Sequence, residues 1–419
     1  MSTLDVECVI AASAAGPNAS MSAFDDDAMP QRLTMTRVVG VVGGVIAVAP
    51  PPARAAVIAR SAPSRRDVVS WLALAGAAPA RALDAGSLRA QLAEARKPTT
   101  STSTTTRVPM TLEGGTYVAD FTVGTAACRA VVDTGSPFVT TRRAASTSAV
   151  DDDVGAYWGA VSPSDVSFSA FEDTYETYGL QIDGITGWFA ANDVAVGDFV
   201  FREMVIGVTD DVRNRGGSAR GVAPFLGLVK QRQRWIRPTF LEQTDVVSFE
   251  LDFVKECLTL SRAPLVDERE RGTLRMVDLR PYGAPVFHYA ALCDSLWING
   301  EPYASSKPIY CVFDSGTTGM LVSRQLFDDS DFNLGAFETH MWFTDTTGED
   351  LVVGSSLRAC RKSCLFIVSP IDVPWPGVEN GDFHVIFVGL SALMNLRSMT
   401  VDADRGLVRL GPGGAGNAL

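Results

Sequence analysis

Alternation of apolar and polar residues predicts β-strands along most of the chain after Met110. In the segment Thr116–Gly124 two sets of side chains alternate, one formed by Tyr117, Ala119, Phe121 and Val123 and the other by Val118, Asp120 and Thr122. Successive side chains of a strand point to opposite faces, so we expect one face of this strand to be buried. Because Gly, Asp and Pro separate many such short segments, the pattern predicts a mainly β fold.

Further elements follow from local patterns. A hairpin is predicted over Val194–Phe201, with its turn at Gly197–Asp198. Strands are predicted at Ser248–Phe253 and Cys257–Leu260, and a short helix at Ser323–Phe327.

The first hundred residues have the composition of targeting sequence. Residues 28–66 contain six Arg and neither Asp nor Glu, which is typical of organelle transit peptides, so we assign 1–66 to a transit peptide. Arg65–Arg66 then precedes a modest apolar run and small-residue cleavage sites around Ala80, which resembles a Tat export signal over 67–82. A linker is predicted over 83–106, ending in the Thr- and Ser-rich stretch Thr99–Thr106.

Together these signals predict delivery to the thylakoid lumen of a chloroplast, with a secretory or vacuolar address as the alternative. Glu7 and Asp25–Asp27 are not typical of a transit peptide, which leaves open a start of translation at Met29 or Met35. A chance Arg65–Arg66 pair in an Arg-rich leader is the alternative to the Tat signal.

Size and charge exclude several classes of protein. At 419 residues, with 46% apolar and 20% charged residues, the chain is long enough for two domains with ample cores. The net charge of −12 argues against nucleic acid as a main partner, because phosphate backbones are bound by basic surfaces. The apolar runs are shorter than the roughly 20 residues that span a bilayer, so we expect no permanent membrane anchor.

Cysteine and histidine are too scarce and too scattered to predict a metal site. Of the seven cysteines, only Cys360 and Cys364 are closely spaced, and we interpret them as thiols or a structural disulfide rather than as metal ligands. His288 has no recognisable nucleophile motif beside it, so we expect it to be structural. We therefore predict neither a metal nor another cofactor.

Two short segments, Val131–Ser136 and Val312–Thr317, resemble each other. Each passes from apolar residues into Asp, a hydroxyl residue, Gly and a second hydroxyl residue. A single Asp-Gly turn after a strand is common, but two copies in one chain could bring Asp133 and Asp314 face to face. Two carboxyls about 3 Å apart share a proton, so one can act as base and the other as acid on a peptide bond. We predict this catalytic pair; the sequence does not reveal which Asp is ionised.

The two motifs and their surroundings resemble the pepsin-like aspartic endopeptidases, in particular those of the plant and algal type. The likeness covers residues 107–413 in the order of the family. It rests on the two motifs and on six further segments: Thr116–Gly124, Thr177–Gly179, Ile185–Gly187, Pro224–Leu228, Ile386–Leu390 and Met399–Pro412.

The resemblance implies a bilobal fold in which two β lobes flank a cleft and each lobe supplies one Asp. The lobes would occupy 107–246 and 247–413, followed by a tail at 414–419. The supporting residues of the motifs would have three roles: close approach of the backbone (Gly135, Gly316), donation to the carboxyls (Ser136, Thr317) and hydrogen bonds between the loops (Thr134, Ser315).

In the family a β-hairpin closes over the substrate as a flap, and the resemblance implies that Tyr178 and Gly179 contact the substrate from it. One departure from the family pattern lies near the first motif, since Thr140 stands where a tryptophan normally holds the flap tyrosine. We therefore expect the flap either to close more loosely or to engage Tyr175 as well.

The implied activity is that of an acid-favoured endopeptidase that cleaves extended polypeptides as a monomer. A catalytically inactive binding or inhibitor-like protein on the same fold is the alternative, because fold does not fix function. Both Asp-hydroxyl-Gly-hydroxyl motifs are intact, which favours the enzyme. A homodimeric protease of retroviral type is disfavoured, because one chain already carries both motifs.

Overall fold

The computed structural model describes residues 103–142, 158–162, 165–178, 182–214, 223–230, 239–357 and 366–411, with the backbone alone for 167–178, 182–186 and 210–214. The predicted transit peptide and Tat signal, most of the predicted linker, the Cys360–Cys364 pair and the 414–419 tail lie outside the described residues.

Strands predominate among the described residues, so the predicted mainly β class is confirmed. In the first part of the chain the strands are β1 (Thr105–Glu113), β2 (Thr116–Val123), β3 (Ala126–Asp133), β4 (Thr140–Arg142), β5 (Val166–Tyr178), β6 (Ile182–Val196), β7 (Phe199–Asn214) and β8 (Phe225–Gly227).

The later strands are β9 (Ser248–Asp252), β10 (Cys257–Ser261), β11 (Thr273–Arg275), β12 (Ala290–Cys293), β13 (Ser295–Ile298), β14 (Glu301–Tyr303), β15 (Ile309–Phe313), β16 (Met320–Ser323), β17 (Glu338–Thr344), β18 (Asp350–Ser356), β19 (Val368–Ile371), β20 (His384–Val388), β21 (Ser398–Asp402) and β22 (Leu407–Gly411).

Helical elements are short. They are α1 (Arg324–Asp329), α2 (Pro376–Glu379), α3 (Leu390–Leu393) and the 3₁₀ turns Arg280–Tyr282 and Asp331–Leu334. In the part of the chain that the structure describes, no helix is long and apolar enough to cross a membrane.

The largest sheet joins the first strands to the last ones through β1. Thr105–Pro109 of β1 pairs with β10, and Met110–Glu113 of the same strand pairs with β2. The strand order runs β11-β22-β21-β9-β10-β1-β2-β6-β7-β4, with β3 also on β2 and β5 also on β6. Because a single strand belongs to both parts of this sheet, the two parts of the chain are connected by continuous backbone hydrogen bonding.

Two smaller sheets complete the described strands. One has the order β12-β15-β20-β16-β19, and the other has the order β14-β13-β17-β18. In the first of these, β15 runs parallel to β20, and the pairing joins Phe313 to Val388. This parallel pair positions the second Asp motif.

Several predicted elements are confirmed. The predicted hairpin turns at Gly197–Asp198, where Val196 of β6 faces Phe199 of β7, and Gly197 has φ +59°. The strands β9 and β10 form as expected, and α1 starts one residue after the predicted Ser323. The segment Met399–Pro412, which resembles the family, contains the paired strands β21 and β22.

Two details differ from the sequence expectation. The predicted linker extends too far, because Thr105 and Thr106 already belong to β1. They pair there with Ser261 and Leu260 of β10. In β2 the buried face is as predicted, but Val118 on the other face is buried as well. Val118 pairs with Val131 of β3, two residues before Asp133.

The hydrophobic core is divided by the five-stranded sheet. Along β15, Cys311 and Phe313 belong to the main core, whereas Val312 points to the opposite face, as alternation in a strand requires. The residues packed on that second face are Leu279, Ala284, Ala290, Val312, Leu321, Ile371, Val373, Trp375, Phe383, Val385 and Phe387.

His288 is buried beside this second cluster. Its ring stacks on Trp375 at 5.2 Å between centroids and meets Phe387 edge-on at 6.1 Å. Neither ring nitrogen has a hydrogen-bond partner among the described residues. Burial lowers the pKa of His288 to about 4, so the ring stays neutral above that pH.

We predict that His288 weakens the fold in acid. The unfolded chain binds the His proton near pH 6.5 and the folded chain only near pH 4, so stability is lost as the pH falls through this window. The loss approaches about 3 kcal/mol. His288→Phe, which keeps a neutral ring among aromatic neighbours, should flatten this part of the pH dependence in urea unfolding between pH 7 and 4. Parallel curves for the wild type and the variant would contradict the prediction.

Candidate active site

The first Asp motif follows a buried central strand. Asp133 is the last residue of β3, which runs parallel to β8 so that Asp133 faces Gly227. The Leu228 N–H donates to the Asp133 carbonyl at 2.8 Å, and the Val229 N–H donates to the Ser136 carbonyl at 3.0 Å. The chain after β8 therefore braces the loop that carries this carboxyl.

The second Asp motif is built in the same way. Asp314 directly follows β15, and its N–H donates to the carbonyl of Val388 at the end of β20, at 3.0 Å. The Leu390 N–H donates to the Thr317 carbonyl at 2.8 Å. Each carboxyl is thus presented by a loop at the end of a strand that pairs in parallel with a later strand.

Thr134 and Ser315 bind the two loops to each other. The Thr134 hydroxyl donates to the Phe313 carbonyl at 2.9 Å and accepts from the Ser315 N–H at 2.9 Å. Reciprocally, the Ser315 hydroxyl donates to the Val132 carbonyl at 2.7 Å and accepts from the Thr134 N–H at 3.1 Å. These are the bonds between the loops that the family resemblance implies. All the groups are buried, so the four bonds fix the spacing of the loops.

Further contacts join the same two parts of the molecule near the loops. The Tyr289 hydroxyl donates across to the Leu228 carbonyl, and Tyr289 is held beside the second Asp motif because its own carbonyl accepts from the Phe313 N–H at 2.9 Å. The Thr318 hydroxyl donates to the Gly115 carbonyl at 3.0 Å.

The two carboxyls meet between the loops. Asp133 and Asp314 are fully buried, and they are close enough for each carboxyl to shift the pKa of the other. The Ser136 hydroxyl and the Gly135 N–H donate to Asp133 at 2.5 and 2.7 Å. The corresponding donors to Asp314, Thr317 and Gly316, are each at 2.9 Å.

The motif glycines are required by this close approach. A Cβ on Gly135 would lie 2.6 Å from an oxygen of Asp314, and a Cβ on Gly316 would lie 2.5 Å from the carboxyl of Asp133. Each glycine therefore contacts the carboxyl of the other motif. Any larger residue at either position would push the pair apart.

The two carboxyls have different affinities for a proton. Burial raises the pKa of Asp133, although Ser136 and Gly135 stabilise its anion and oppose the rise. Burial raises the pKa of Asp314 well above its usual range, and the neighbouring charge of Asp133 raises it further. The pair therefore retains one proton at a pH where an isolated carboxyl would have lost it, and the two groups titrate together.

The predicted flap residues lie at the end of a long hairpin. Strands β5 and β6 pair as far as Tyr178 and Ile182. Tyr178 is described by its backbone alone, and Gly179 lies outside the described residues. The pairing places the backbone of Tyr178 at the last described pair of the hairpin.

Phe138 and Trp188 form a contact that the sequence analysis missed. Their rings meet edge-on at 4.8 Å between centroids, and Trp188 is buried. Thr140, at the position of the absent family tryptophan, instead accepts a hydrogen bond from the Phe225 N–H at 2.8 Å. The sequence held one indication of a role for Trp188, because this residue directly follows Ile185–Gly187, a segment that resembles the family's flap region.

Other potential chemistry is sparse in the described residues. Cys128, Cys257, Cys293 and Cys311 are free thiols. Within the described ranges, no group of three or more His, Cys, Asp or Glu side chains could hold a metal ion.

Neither the protein-family models nor the curated proteins with which the chain was compared give a match.

We predict that Thr134→Val destabilises the fold by about 3 kcal/mol, because it leaves a buried carbonyl and a buried N–H unpaired. The matched control is Thr339→Val, which removes a buried hydroxyl that has no partner among the described residues and should be nearly neutral. Urea unfolding at pH 6 measures both variants. Equal effects of the two substitutions would show that the Thr134 hydrogen bonds contribute nothing specific.

We also predict that Asp314→Asn stabilises the protein at pH 7. A carboxyl whose folded pKa is raised contributes stability that is present below its unfolded pKa of about 3.9 and is lost as the pH rises through the folded pKa. The gain of the variant over the wild type should therefore shrink as the pH falls towards 4.

Asp345→Asn is a control of opposite sign. Although burial opposes the effect, hydrogen bonds from Thr347, Gly272 and Glu349 lower the pKa of Asp345 to about 2. The Asn variant should be less stable than the wild type at pH 7, and this deficit should close in acid. If Asp314→Asn behaved like Asp345→Asn, the raised pKa of Asp314 would be wrong.

Proposed function

We propose that this chain is a pepsin-like aspartic endopeptidase that hydrolyses peptide bonds with a water molecule activated between Asp133 and Asp314. The observation that carries the proposal is that two fully buried carboxyls are brought together, each against the glycine of the other motif, by loops that are hydrogen-bonded to each other. Burying two like charges side by side is costly unless they share a proton. A pair of this kind is suited to moving protons and has little value as a structural element.

The proposal includes a bilobal arrangement with a cleft. The strands β1 to β8 would form the amino-terminal lobe over 107–246, and the strands β9 to β22 would form the carboxy-terminal lobe over 247–413. The parallel pairs β3–β8 and β15–β20 support this division, because each would present one carboxyl from its own lobe.

In the proposed reaction, Asp133 takes a proton from the water while Asp314 donates a hydrogen bond to the carbonyl oxygen of the scissile peptide. The oxygen of the water bonds to the carbonyl carbon while the proton of Asp314 moves to the carbonyl oxygen, and a tetrahedral diol forms. The proton held by Asp133 then passes to the departing nitrogen as the C–N bond breaks, and Asp314 regains a proton from the diol. The pair returns to its starting state.

Ser136 and Thr317 would keep the outer carboxyl oxygens hydrogen-bonded during these transfers. The β5–β6 hairpin would cover the substrate and limit access of bulk water, with Tyr178 and Gly179 in contact with it. One chain supplies both carboxyls, so a monomer would suffice. The substrate class is extended polypeptide, which binds through its backbone in a cleft.

The test is cleavage of a denatured protein by the full chain between pH 3 and 7, with and without pepstatin. The wild type should cleave at acidic pH, and pepstatin should block it. Asp133→Asn and Asp314→Asn should each lower kcat/KM by at least about a thousandfold, because either change removes one partner of the shared proton.

The matched control is Asp165→Asn. Asp165 is also buried, but it accepts hydrogen bonds from Thr125 and Ser162 and has no place in the proposed reaction. A folded control variant should retain cleavage. Activity that survives in either Asn variant of the pair would contradict the proposal, and pepstatin binding without any cleavage would favour the non-catalytic binding protein.

A further inference from the structure

We propose that the contact between Phe138 and Trp188 positions the β5–β6 hairpin relative to the carboxyl pair, which makes both positioning residues for substrate enclosure. This inference rests on the proposed function and assigns a specific anchor to the hairpin of the proposed site.

The hairpin is regular at its base and interrupted further out. At its base, Thr122 and Val123 of β2 pair with Ala195 and Val194 of β6. The β5–β6 register shifts between Ser167 and Glu172, and the β6–β7 register shifts between Ile185 and Thr186. Irregularities of this kind interrupt the ladder and allow a strand to bend.

Trp188 lies where these interruptions meet. It faces Glu172 across the hairpin, at the first pair after the shift in β5. On its other side it faces Gly207 of β7, two pairs from the shift at Thr186. A side chain fixed at this position determines the direction in which the outer hairpin projects.

Phe138 is fixed to the first Asp loop. Its carbonyl accepts from the Gly227 N–H at 3.0 Å, and Gly227 is the residue that faces Asp133 in the β3–β8 pair. A Cβ on Gly227 would lie 2.5 Å from the Phe138 carbonyl oxygen. Phe138 therefore cannot move without moving the loop that carries Asp133.

The backbone reinforces the ring contact. Val139, next to Phe138, accepts a hydrogen bond from the Gly207 N–H at 2.9 Å, and Gly207 faces Trp188 in the β6–β7 pair. Phe138 and Trp188 are thus joined twice, by their rings and through Gly207. These contacts therefore attach the hairpin at Trp188 to the loop that carries Asp133.

The test compares Phe138→Leu, Phe138→Tyr and the wild type as full chains. Phe138→Leu should raise KM for a long peptide roughly threefold to tenfold, the range that corresponds to loss of an aromatic pair. It should change kcat less than about twofold and leave the pH profile unmoved, because the carboxyl pair is intact. Phe138→Tyr, which keeps the ring, should restore the wild-type KM.

Hydrogen exchange provides a readout that needs no activity. In Phe138→Leu the amides of Val166–Tyr178 and Ile182–Val196 should exchange roughly threefold to tenfold faster, and those of β9 and β10 should be unchanged. The control is Phe383→Leu, which removes an edge-on contact with Tyr310 at 5.2 Å in the second core cluster. It should affect neither the hairpin amides nor KM.

The proposal would be overturned if hairpin exchange and KM stayed at wild-type values in Phe138→Leu. It would also be overturned if both changed equally in Phe383→Leu. If Phe138→Leu fails to fold, Phe138→Met takes its place with the same expected results. The exchange measurement tests the positioning role even if the wild type cleaves nothing. Failure of this inference is therefore distinguishable from failure of the proposed function.

Discussion

Contact between two buried carboxyls is the constraint on which the rest of this structure depends. Asp133 and Asp314 can lie together only if a proton is retained between them and the remaining charge is hydrogen-bonded. The hydroxyls of Ser136 and Thr317 and the N–H groups of Gly135 and Gly316 meet the second requirement. The first requirement makes the site dependent on pH and links its stability directly to its proposed chemistry.

The framework around the pair resists the tendency of the carboxyls to separate. Thr134 and Ser315 cross-link the loops with four buried hydrogen bonds, and β1 joins the two parts of the largest sheet. Acid has opposing effects on the molecule. It supplies the proton that the pair needs, whereas it charges His288 against Trp375 in the second core cluster. Charging of His288 sets a lower limit, and loss of the pair's proton sets an upper limit, to the pH range in which the proposed enzyme would be both folded and active.

Much of the fold and of the pair could be predicted from local sequence. The Asp-hydroxyl-Gly-hydroxyl repeats identified Asp133 and Asp314, and alternation or turn residues identified β2 and the turn at Gly197–Asp198. The Phe138–Trp188 contact could not be predicted, because it depends on how the loop after β3 packs against β6, a strand distant in the sequence. Thr105 and Thr106 were assigned to a linker because the stretch around them is rich in Thr and Ser. That assignment was wrong, since composition carries no information about pairing with the distant β10.

The most direct test of the shared proton is neutron diffraction from deuterated crystals of the protein grown near pH 5. One deuteron should lie between Asp133 and Asp314, bonded to an oxygen of Asp314, with the Ser136 and Thr317 hydroxyls directed at the carboxyls. Two deuterons, none, or carboxyl oxygens too far apart for a hydrogen bond would contradict the account.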